Sequence, residues 1–228
     1  MTSASKKLLV IGLVWPEPSS SAAGSRMLQL LTGFLARGYD ITFASSARKG
    51  EYSVDLNAMG ISSRSIKVND SRFDPFIRDL KPDVVMFDRF VTEEQFGWRV
   101  SEQCPKAVRV LDTEDLHFLR AARERHSARE KPLKKADLIT DVARRELASI
   151  YRCDVSLIIS EAEMSILSEK FDIPDMLIAY LPYLLDMLPE NSAELWPGYD
   201  DREGFMTIGN FRHKPNLDAV STLRRDIW

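Results

Sequence analysis

The chain has 228 residues, of which 44% are hydrophobic and 29% charged, and its formal net charge is -3. This length corresponds to one or two domains, and the composition is that of an ordinary soluble globular protein. The slightly acidic balance argues against nonspecific nucleic-acid binding. Cys104 and Cys153 are far apart and outside any Cys-x-x-Cys motif, so we expect neither a metal site nor a redox motif.

The chain starts with a predicted strand, a loop and a helix. Residues 8–14 form a continuous apolar run, which is typical of a strand buried on both faces of a parallel sheet. The loop at 15–24 contains two prolines and a run of small residues, and residues 27–35 then repeat apolar side chains at helical spacing. Such a loop lets backbone N–H groups at a helix N-terminus approach an anion.

Three residues at this helix start are therefore candidate binding residues: Gly24, Ser25 and Arg26. Their N–H groups and the guanidinium of Arg26 are donors suited to phosphate oxygens. Gly24 also fits a simple turn glycine, and Arg26 also fits a solvent-facing position on the helix.

The N-terminal segment has some features of a secretory signal peptide, because Lys6 and Lys7 precede the apolar run and small residues follow it. However, residues 15–18 place a charge and two prolines where a cleavage region is small and neutral. The following helix also needs this strand as a packing partner. We therefore expect a cytoplasmic protein.

Apolar runs and helical segments alternate along the middle of the chain. Further strands are predicted at residues 41–44, 84–87, 108–111 and 155–159. This alternation predicts an α/β fold with a doubly wound parallel sheet. The helical stretch from 118 to 151 is rich in Arg and Lys. It is either a basic surface for anionic lipid heads or an ordinary solvated face, and its interspersed acidic residues favour the second interpretation.

Polar side chains follow the strand at 108–111, at its carboxyl end, where open α/β sheets bind ligands. They are Asp112, Glu114, Asp115 and His117. The carboxylates are suited to accept hydrogen bonds from the hydroxyl groups of a ligand, and His117 and Asp115 are the candidate catalytic residues. The alternative for His117 is a structural or solvated loop histidine.

The C-terminal part changes character, because prolines and acidic residues separate short apolar pieces between 171 and 199. We predict a first domain at 1–185, a linker at 186–203 and the incomplete start of a second α/β domain at 204–228. In that last segment, residues 205–208 indicate a strand and residues 217–228 a helix. One strand and one helix bury too little apolar surface to stand alone, so we expect them to need further chain.

In four segments the chain resembles the family 4 glycosyltransferases of the two-domain GT-B fold. These segments are the first loop and helix with its closing turn at 37–40, the strand and loop at 108–120, the helix and Ser-Glu strand end at 145–161, and the turn at 209–220. The last is the most specific, and it is close to a turn at the start of the donor-binding domain in one branch of the family.

The resemblance implies retaining transfer of a sugar from a nucleotide-sugar donor, which is a co-substrate rather than a cofactor, to a glycan or lipid-linked acceptor. A lipid-linked acceptor implies peripheral contact with the inner face of the membrane. Many family members bind the diphosphate through basic residues after the first strand of the second domain. The corresponding donor-side candidates are Asn210, Arg212 and His213.

The late Glu pair and nucleotide pocket of the family have no counterpart in this sequence. We therefore expect a fragment that is inactive alone, with a missing C-terminal half. Two alternatives stay open. One is a noncatalytic glycan-binding module or subunit that needs a separate donor-binding half. The other is a phosphate-binding Rossmann-like domain unrelated to sugars.

Overall fold

The structure is a computed structural model that describes residues 5–126, 133–185, 187–211 and 213–227, except for the side chains of residues 193 and 194. Seven strands are present in this part of the chain: β1 (Lys7–Gly12), β2 (Asp40–Ser45), β3 (Ser62–Ser65), β4 (Val84–Asp88), β5 (Val108–Asp112), β6 (Val155–Ile158) and β7 (Ile178–Tyr180). They form one sheet in the order β3-β2-β1-β4-β5-β6-β7, and every neighbouring pair is parallel. The predicted α/β fold with a parallel sheet is confirmed.

The helices of the described residues connect these strands or follow them: α1 (Ala22–Leu35), α2 (Phe73–Leu80), α3 (Arg89–Gln103), α4 (His117–His126), α5 (Lys135–Leu138), α6 (Asp141–Arg152), α7 (Glu161–Phe171) and α8 (Lys214–Thr222). The basic stretch that the sequence indicates as one helical region therefore contains three helices, α4, α5 and α6. None of the helices in the described ranges combines the length and apolar character needed to cross a membrane.

The core lies on both faces of the sheet. Successive side chains of a strand point to opposite faces, so Leu9 and Ile11 pack with helices α2 to α7, whereas Leu8 and Val10 pack with α1. All four side chains are at most 1% exposed. Because both faces are covered, the strand appears in the sequence as a continuous apolar run rather than an alternating one.

The strand order places a topological switch point between β1 and β4. The chain runs outward from β1 through β2 to β3, then returns to the other side of β1 and continues from β4 to β7. Helices therefore leave β1 and β4 toward opposite faces of the sheet, which opens a crevice outside the carboxyl ends of these two strands. This crevice determines where a ligand site is expected.

The chain divides into two compact units, Met1–Tyr183 and Leu184–Trp228. In the second unit, α8 starts at Lys214 with Pro215 in its first turn, where a missing N–H costs nothing. The predicted strand at 205–208 is wrong, because these residues have no strand structure. A strand needs a neighbouring strand for its N–H and C=O groups, and residues 187–211 and 213–227 contain none.

Candidate functional site

The loop between β1 and α1 is fixed by hydrogen bonds at the helix N-terminus. Ser21 is the N-cap residue, and its Oγ accepts a hydrogen bond from the N–H of Gly24 at 3.0 Å. The Oγ of Ser25 donates to the carbonyl oxygen of Pro18 at 3.0 Å. The N–H of Gly24 is therefore engaged in the cap, and an anion at this position would have to replace that bond.

Gly24 is a helical residue that permits a close approach of the loop. A Cβ atom at this position would lie 2.5 Å from the carbonyl carbon and oxygen of Glu17, well inside van der Waals contact. The loop can fold back onto the first turn of α1 only because residue 24 has no side chain. This close approach, rather than a turn, explains the glycine.

Arg26 is buried, with 1% of its surface exposed. Its Nε and Nη2 donate to Oδ1 of Asp112 at 3.1 and 3.0 Å, and its Nη1 donates to the carbonyl oxygens of Leu181 and Pro182 at 2.9 and 3.1 Å. The interpretation of Arg26 as a solvent-facing residue is wrong. Its guanidinium ties the start of α1 to the end of β5 and to the chain just after β7.

Two buried carboxylates lie side by side at the carboxyl ends of β4 and β5. Asp88 and Asp112 are paired in the register of the two strands, and they are 3% and 0% exposed. Asp88 Oδ2 accepts a hydrogen bond from the N–H of Leu13 at 2.9 Å, and Asp112 Oδ1 accepts from Arg26. Within the described part of the chain, Asp88 Oδ1 and Asp112 Oδ2 have no hydrogen-bond donor. A buried acceptor without a donor is costly, so these two oxygens are suited to a ligand that brings hydroxyl groups.

A third carboxyl group, that of Glu114, lies beside this pair. The pKa of Glu114 is raised to about 8, mainly by burial and also by the negative charges of Asp112 and Asp88, against the opposing effect of Arg89 and Arg26. Burial also raises the pKa of both aspartates above their ordinary range. The three carboxyl groups of Asp88, Asp112 and Glu114 thus face the two guanidinium groups of Arg26 and Arg89. With a proton on Glu114 at pH 7, two negative charges balance two positive charges. The protonated carboxyl is a hydrogen-bond donor in the same place where the aspartates present acceptors.

Arg89 is a site residue that the sequence interpretation missed. It follows β4 directly, and its Nε lies 3.6 Å from Asp88 Oδ1. Arg89 and Glu114 both have positive φ angles, 69° and 63°, which are unfavourable for side chains other than glycine. Two such residues together at adjacent strand ends indicate a functional constraint, since the surrounding structure has to hold each of them in place. The signal in the sequence was the Asp-Arg pair directly after a buried strand.

A narrow pocket lies between these groups and the β1–α1 loop. It is lined by Val14, Pro16, Ala23, Gly24, Met27, Asp88, Arg89 and Glu114, so it occupies the crevice at the switch point. Its volume is about 10 Å³, which is about the space of one water molecule. The pocket can therefore receive a hydroxyl group of a ligand, while the rest of the ligand lies outside it.

His117 and Asp115 lie next to each other at the start of α4. His117 Nε2 is 3.5 Å from Asp115 Oδ1, and its ring packs edge-to-face on Phe90 with centroids 5.3 Å apart. The pKa of His117 is lowered to about 4, mainly by burial and also by the positive charge of Arg120. The imidazole is therefore neutral at pH 7, and its catalytic role stays a prediction.

Two further buried acids, also missed in the sequence, hold the start of α4. Glu146 accepts hydrogen bonds from the N–H groups of His117 and Phe118 at 3.1 Å each, and Glu163 accepts from the N–H of Leu116 at 3.1 Å. These carboxyls satisfy helix N-terminal donors that would otherwise be buried without partners. The signal was an acid at position 146 in the apolar stripe of α6, between Ala143 and Ile150.

The remaining predicted residues lie elsewhere. Asn210 and His213 are exposed residues of the second unit in the turn before α8, where the N–H of His213 donates to the carbonyl oxygen of Asn210 at 2.9 Å. Arg212 lies outside the described residues. Within the described ranges, no group of three or more His, Cys, Asp or Glu side chains is arranged to hold a metal ion.

Several arginines of the basic helical stretch pair with acids. Arg145 contacts Glu94 at 2.6 Å, Arg152 contacts Glu93 at 2.5 Å, and Arg144 contacts Asp141 at 2.5 Å. The positive charge of these three arginines is thus matched locally, which agrees with the interpretation of an ordinary solvated face.

No family model and no curated protein sequence matches this chain. Solved structures do match its fold. Sucrose-phosphate synthase from Thermosynechococcus elongatus is 11% identical with a TM-score of 0.53, and the match covers 78% of this chain and 48% of that one. The lipopolysaccharide outer core galactosyltransferase WaaB is 11% identical with a TM-score of 0.51, over 82% of this chain and 50% of that one.

An alpha-glucosyltransferase in complex with UDP-glucose and DNA containing an abasic site is 12% identical with a TM-score of 0.50, over 81% of this chain and 44% of that one. This chain thus spans about half the length of the structures that it matches. Sucrose-phosphate synthase and WaaB are GT-B glycosyltransferases. The chain therefore has a fold that these GT-B glycosyltransferases contain within about half of their length.

Proposed function

We propose that this chain is the acceptor-side part of a retaining family 4 glycosyltransferase, which transfers a sugar from a nucleotide-sugar donor to a glycan or lipid-linked acceptor. One observation carries the proposal. Asp88 and Asp112 present two buried oxygens without hydrogen-bond donors at the switch point of a sheet whose fold occurs in glycosyltransferases. Sugars are dense in hydroxyl donors, and they suit such acceptors.

Each residue of the site has its own role in positioning an acceptor. Asp88 Oδ1 and Asp112 Oδ2, which have no hydrogen-bond donor among the described residues, accept hydrogen bonds from sugar hydroxyls, and the carboxyl of Glu114 donates one. Arg89 places a positive charge at the mouth of the pocket, where it stabilises negative charge on the departing diphosphate. Holding the acceptor hydroxyl against the donor sugar is itself a large part of catalysis in a reaction between two substrates.

We assign donor binding to a second half of the enzyme. The assignment to the retaining family 4 branch is supported by the resemblance of residues 209–220 to a turn at the start of its donor-binding domain. Asn210, Arg212 and His213 are the residues of this segment that we assign to the donor side. We propose that residues 1–228 alone transfer no sugar. The groups that bind the nucleotide belong to a donor-binding half, in the same or another polypeptide.

The experiment combines residues 1–228 with the donor-binding half and measures nucleoside diphosphate release from a panel of nucleotide sugars with glycan and polyprenyl-linked acceptors. We expect release only when both halves are present, and Arg89→Gln should lower kcat/KM at least 10-fold, which is about 1.4 kcal/mol. The control is Arg78→Gln, which removes the same charge from an exposed site on α2.

Transfer by residues 1–228 alone would contradict the proposed division between halves. Acceptor binding without transfer, in the presence of the donor half, would support a noncatalytic glycan-binding module instead. NMR of the product tests the stereochemistry, because a retaining enzyme preserves the anomeric configuration of the donor sugar.

A further inference from the structure

A second and much larger cleft lies outside the carboxyl ends of β2 and β3, and no group of the proposed acceptor site lines it. Its volume is about 570 Å³, which is within the range of small-molecule sites. Three cationic residues (Arg48, Lys49 and Lys67) and three serines (Ser46, Ser63 and Ser65) line it, together with Trp15, Ala47 and Ile66. Among the residues that the structure describes, no acidic one lines the cleft.

Specific contacts hold the walls of this cleft in place. Trp15 is 3% exposed, and its Nε1 donates to the carbonyl oxygen of Ala47 at 2.8 Å, which fixes the loop after β2. Lys49 Nζ lies 4.7 Å from the centroid of the Trp15 ring and 3.5 Å from Ser63 Oγ. The ring therefore forms the floor of the cleft and positions the ammonium group above it.

No ion pair within the described part of the chain involves the cations of the cleft, Arg48, Lys49 and Lys67. In this they differ from the paired arginines of α6. Asp70 nevertheless lies near one of them: the pKa of its carboxyl is lowered mainly by a hydrogen bond from Arg72 and also by the charge of Lys67.

Ser63 and Ser65 alternate with Arg64 along β3, so both hydroxyls face the same side while Arg64 packs over the Phe76 ring. The Ser63 hydroxyl donates to Asn57 Oδ1 at 3.2 Å, so the donors open to a ligand are the three cations and the hydroxyls of Ser46 and Ser65. Cations without ion pairs beside hydroxyl donors in a concave site are the chemistry that recognises a phosphate group.

We infer that this cleft binds a phosphate group of the acceptor substrate. The inference rests on the proposed function, which places the acceptor at the carboxylates of Asp88 and Asp112. The cleft and these carboxylates both lie at the carboxyl ends of the strands of the same sheet. The consecutive residues Trp15 and Pro16 connect the two places, one lining the cleft and the other the narrow pocket. A soluble sugar phosphate and a lipid-linked phosphate share this chemistry.

The sheet sets the distance between the two places. The cleft lies at β3 and β2, the carboxylates lie at β4 and β5, and β1 is between them. Three strand spacings of about 4.8 Å separate the two midpoints, so the phosphate of the acceptor should lie ~14 Å from its reacting hydroxyl. The cleft thus selects acceptors by charge at a distance from the reacting group.

The test measures binding to residues 1–228 by calorimetry, with α-D-glucose 1-phosphate, inorganic phosphate, methyl α-D-glucoside, and a polyprenyl phosphate in phosphatidylcholine vesicles. We expect the phosphorylated probes to bind and the uncharged glucoside to fail. The double variant Arg48→Gln/Lys67→Gln should weaken binding at least 10-fold. The control Lys106→Gln/Lys170→Gln removes the same charge from two exposed positions away from the cleft, and it should change the Kd less than 2-fold.

Tighter binding of the sugar phosphate than of the vesicles assigns a soluble acceptor, and the reverse assigns a lipid-linked one. Equal weakening in both double variants would overturn the inference, and so would binding of inorganic phosphate alone, which indicates an adventitious ion only. With the donor half added, the cleft variant should raise the KM of a phosphorylated acceptor and leave kcat unchanged. Efficient transfer with no change in this KM would contradict phosphate binding in the cleft and leave the proposed transferase function intact. Phosphate binding in the cleft without any transfer would contradict the transferase function and leave the cleft proposal intact.

Discussion

Replacement of Arg26 by methionine should destabilise the first unit strongly. Methionine retains most of the aliphatic volume but removes four hydrogen bonds, two to Asp112 and one each to the carbonyl oxygens of Leu181 and Pro182. Asp112 is then a carboxylate with 0% exposure and no counter-charge from Arg26. Removal of one partner from a buried ion pair costs about 3–5 kcal/mol.

Thermal unfolding of the whole 228-residue chain at pH 7, followed by circular dichroism, measures this cost. For a unit of this size each kcal/mol shifts Tm by about 2–4 °C, so the variant should unfold ~6–20 °C below the parent. Arg37→Met is the matched control. Arg37 is an exposed arginine near the end of α1 that donates to the carbonyl oxygen of Gly33, and its loss should cost less than about 0.5 kcal/mol.

The double variant Arg26→Met/Asp112→Asn separates charge from packing. Asparagine removes the uncompensated charge, so the double variant should be more stable than Arg26→Met by about 1 kcal/mol or more. A Tm for Arg26→Met within 2 °C of the Arg37→Met value would refute the reasoning, because it would show that the guanidinium is not a structural tie.

Two further predictions concern protonation and packing. The folded-state pKa of Glu114 is about 8 against an ordinary 4.5, so the stability that this group contributes is fully present below about pH 4.5 and is lost as the pH rises through 8. Glu114→Gln should therefore make the free energy of unfolding fall less steeply between pH 5 and pH 9 in urea titrations, while the exposed Glu102→Gln leaves the slope unchanged; equal slopes would contradict the assignment. Gly24→Ala should destabilise by about 1–3 kcal/mol, because its Cβ meets backbone atoms of Glu17 at 2.5 Å. Gly33→Ala, in the same helix, should stabilise by about 0.5–1 kcal/mol, since its Cβ meets only an arginine side chain at 3.7 Å. If both alanine variants changed the free energy of unfolding in the same direction, the close approach of the loop to Gly24 would not be what requires a glycine there.

The buried strands were predictable because a parallel sheet leaves a direct mark in the sequence. Residues 8–14 are apolar without interruption, since both faces of β1 are covered. The rule that parallel strands bind ligands at their carboxyl ends then located Asp112 and Glu114. Both residues could be identified because they follow directly after a strand, and this position can be read from a single sequence.

Other features depend on pairing between distant residues, and the sequence does not display that. Arg26 meets Asp112 across 86 positions, so neither its burial nor its partner could be inferred from α1 alone. β3 has the sequence Ser-Ser-Arg-Ser and lacks an apolar pattern, because its strand geometry comes from hydrogen bonds to β2. The apolar run at 205–208 shows the converse, an apolar pattern without a strand to pair with.

The polar sequence of β3 also determines how other proteins can approach this sheet. β3 is an edge strand, and such edges present unpaired N–H and C=O groups to any passing chain. This edge is only four residues long, and it carries an exposed arginine, Arg64. A strand added here would gain few hydrogen bonds and would meet a charge, so the edge discourages sheet-to-sheet aggregation. Association through β3 is therefore disfavoured.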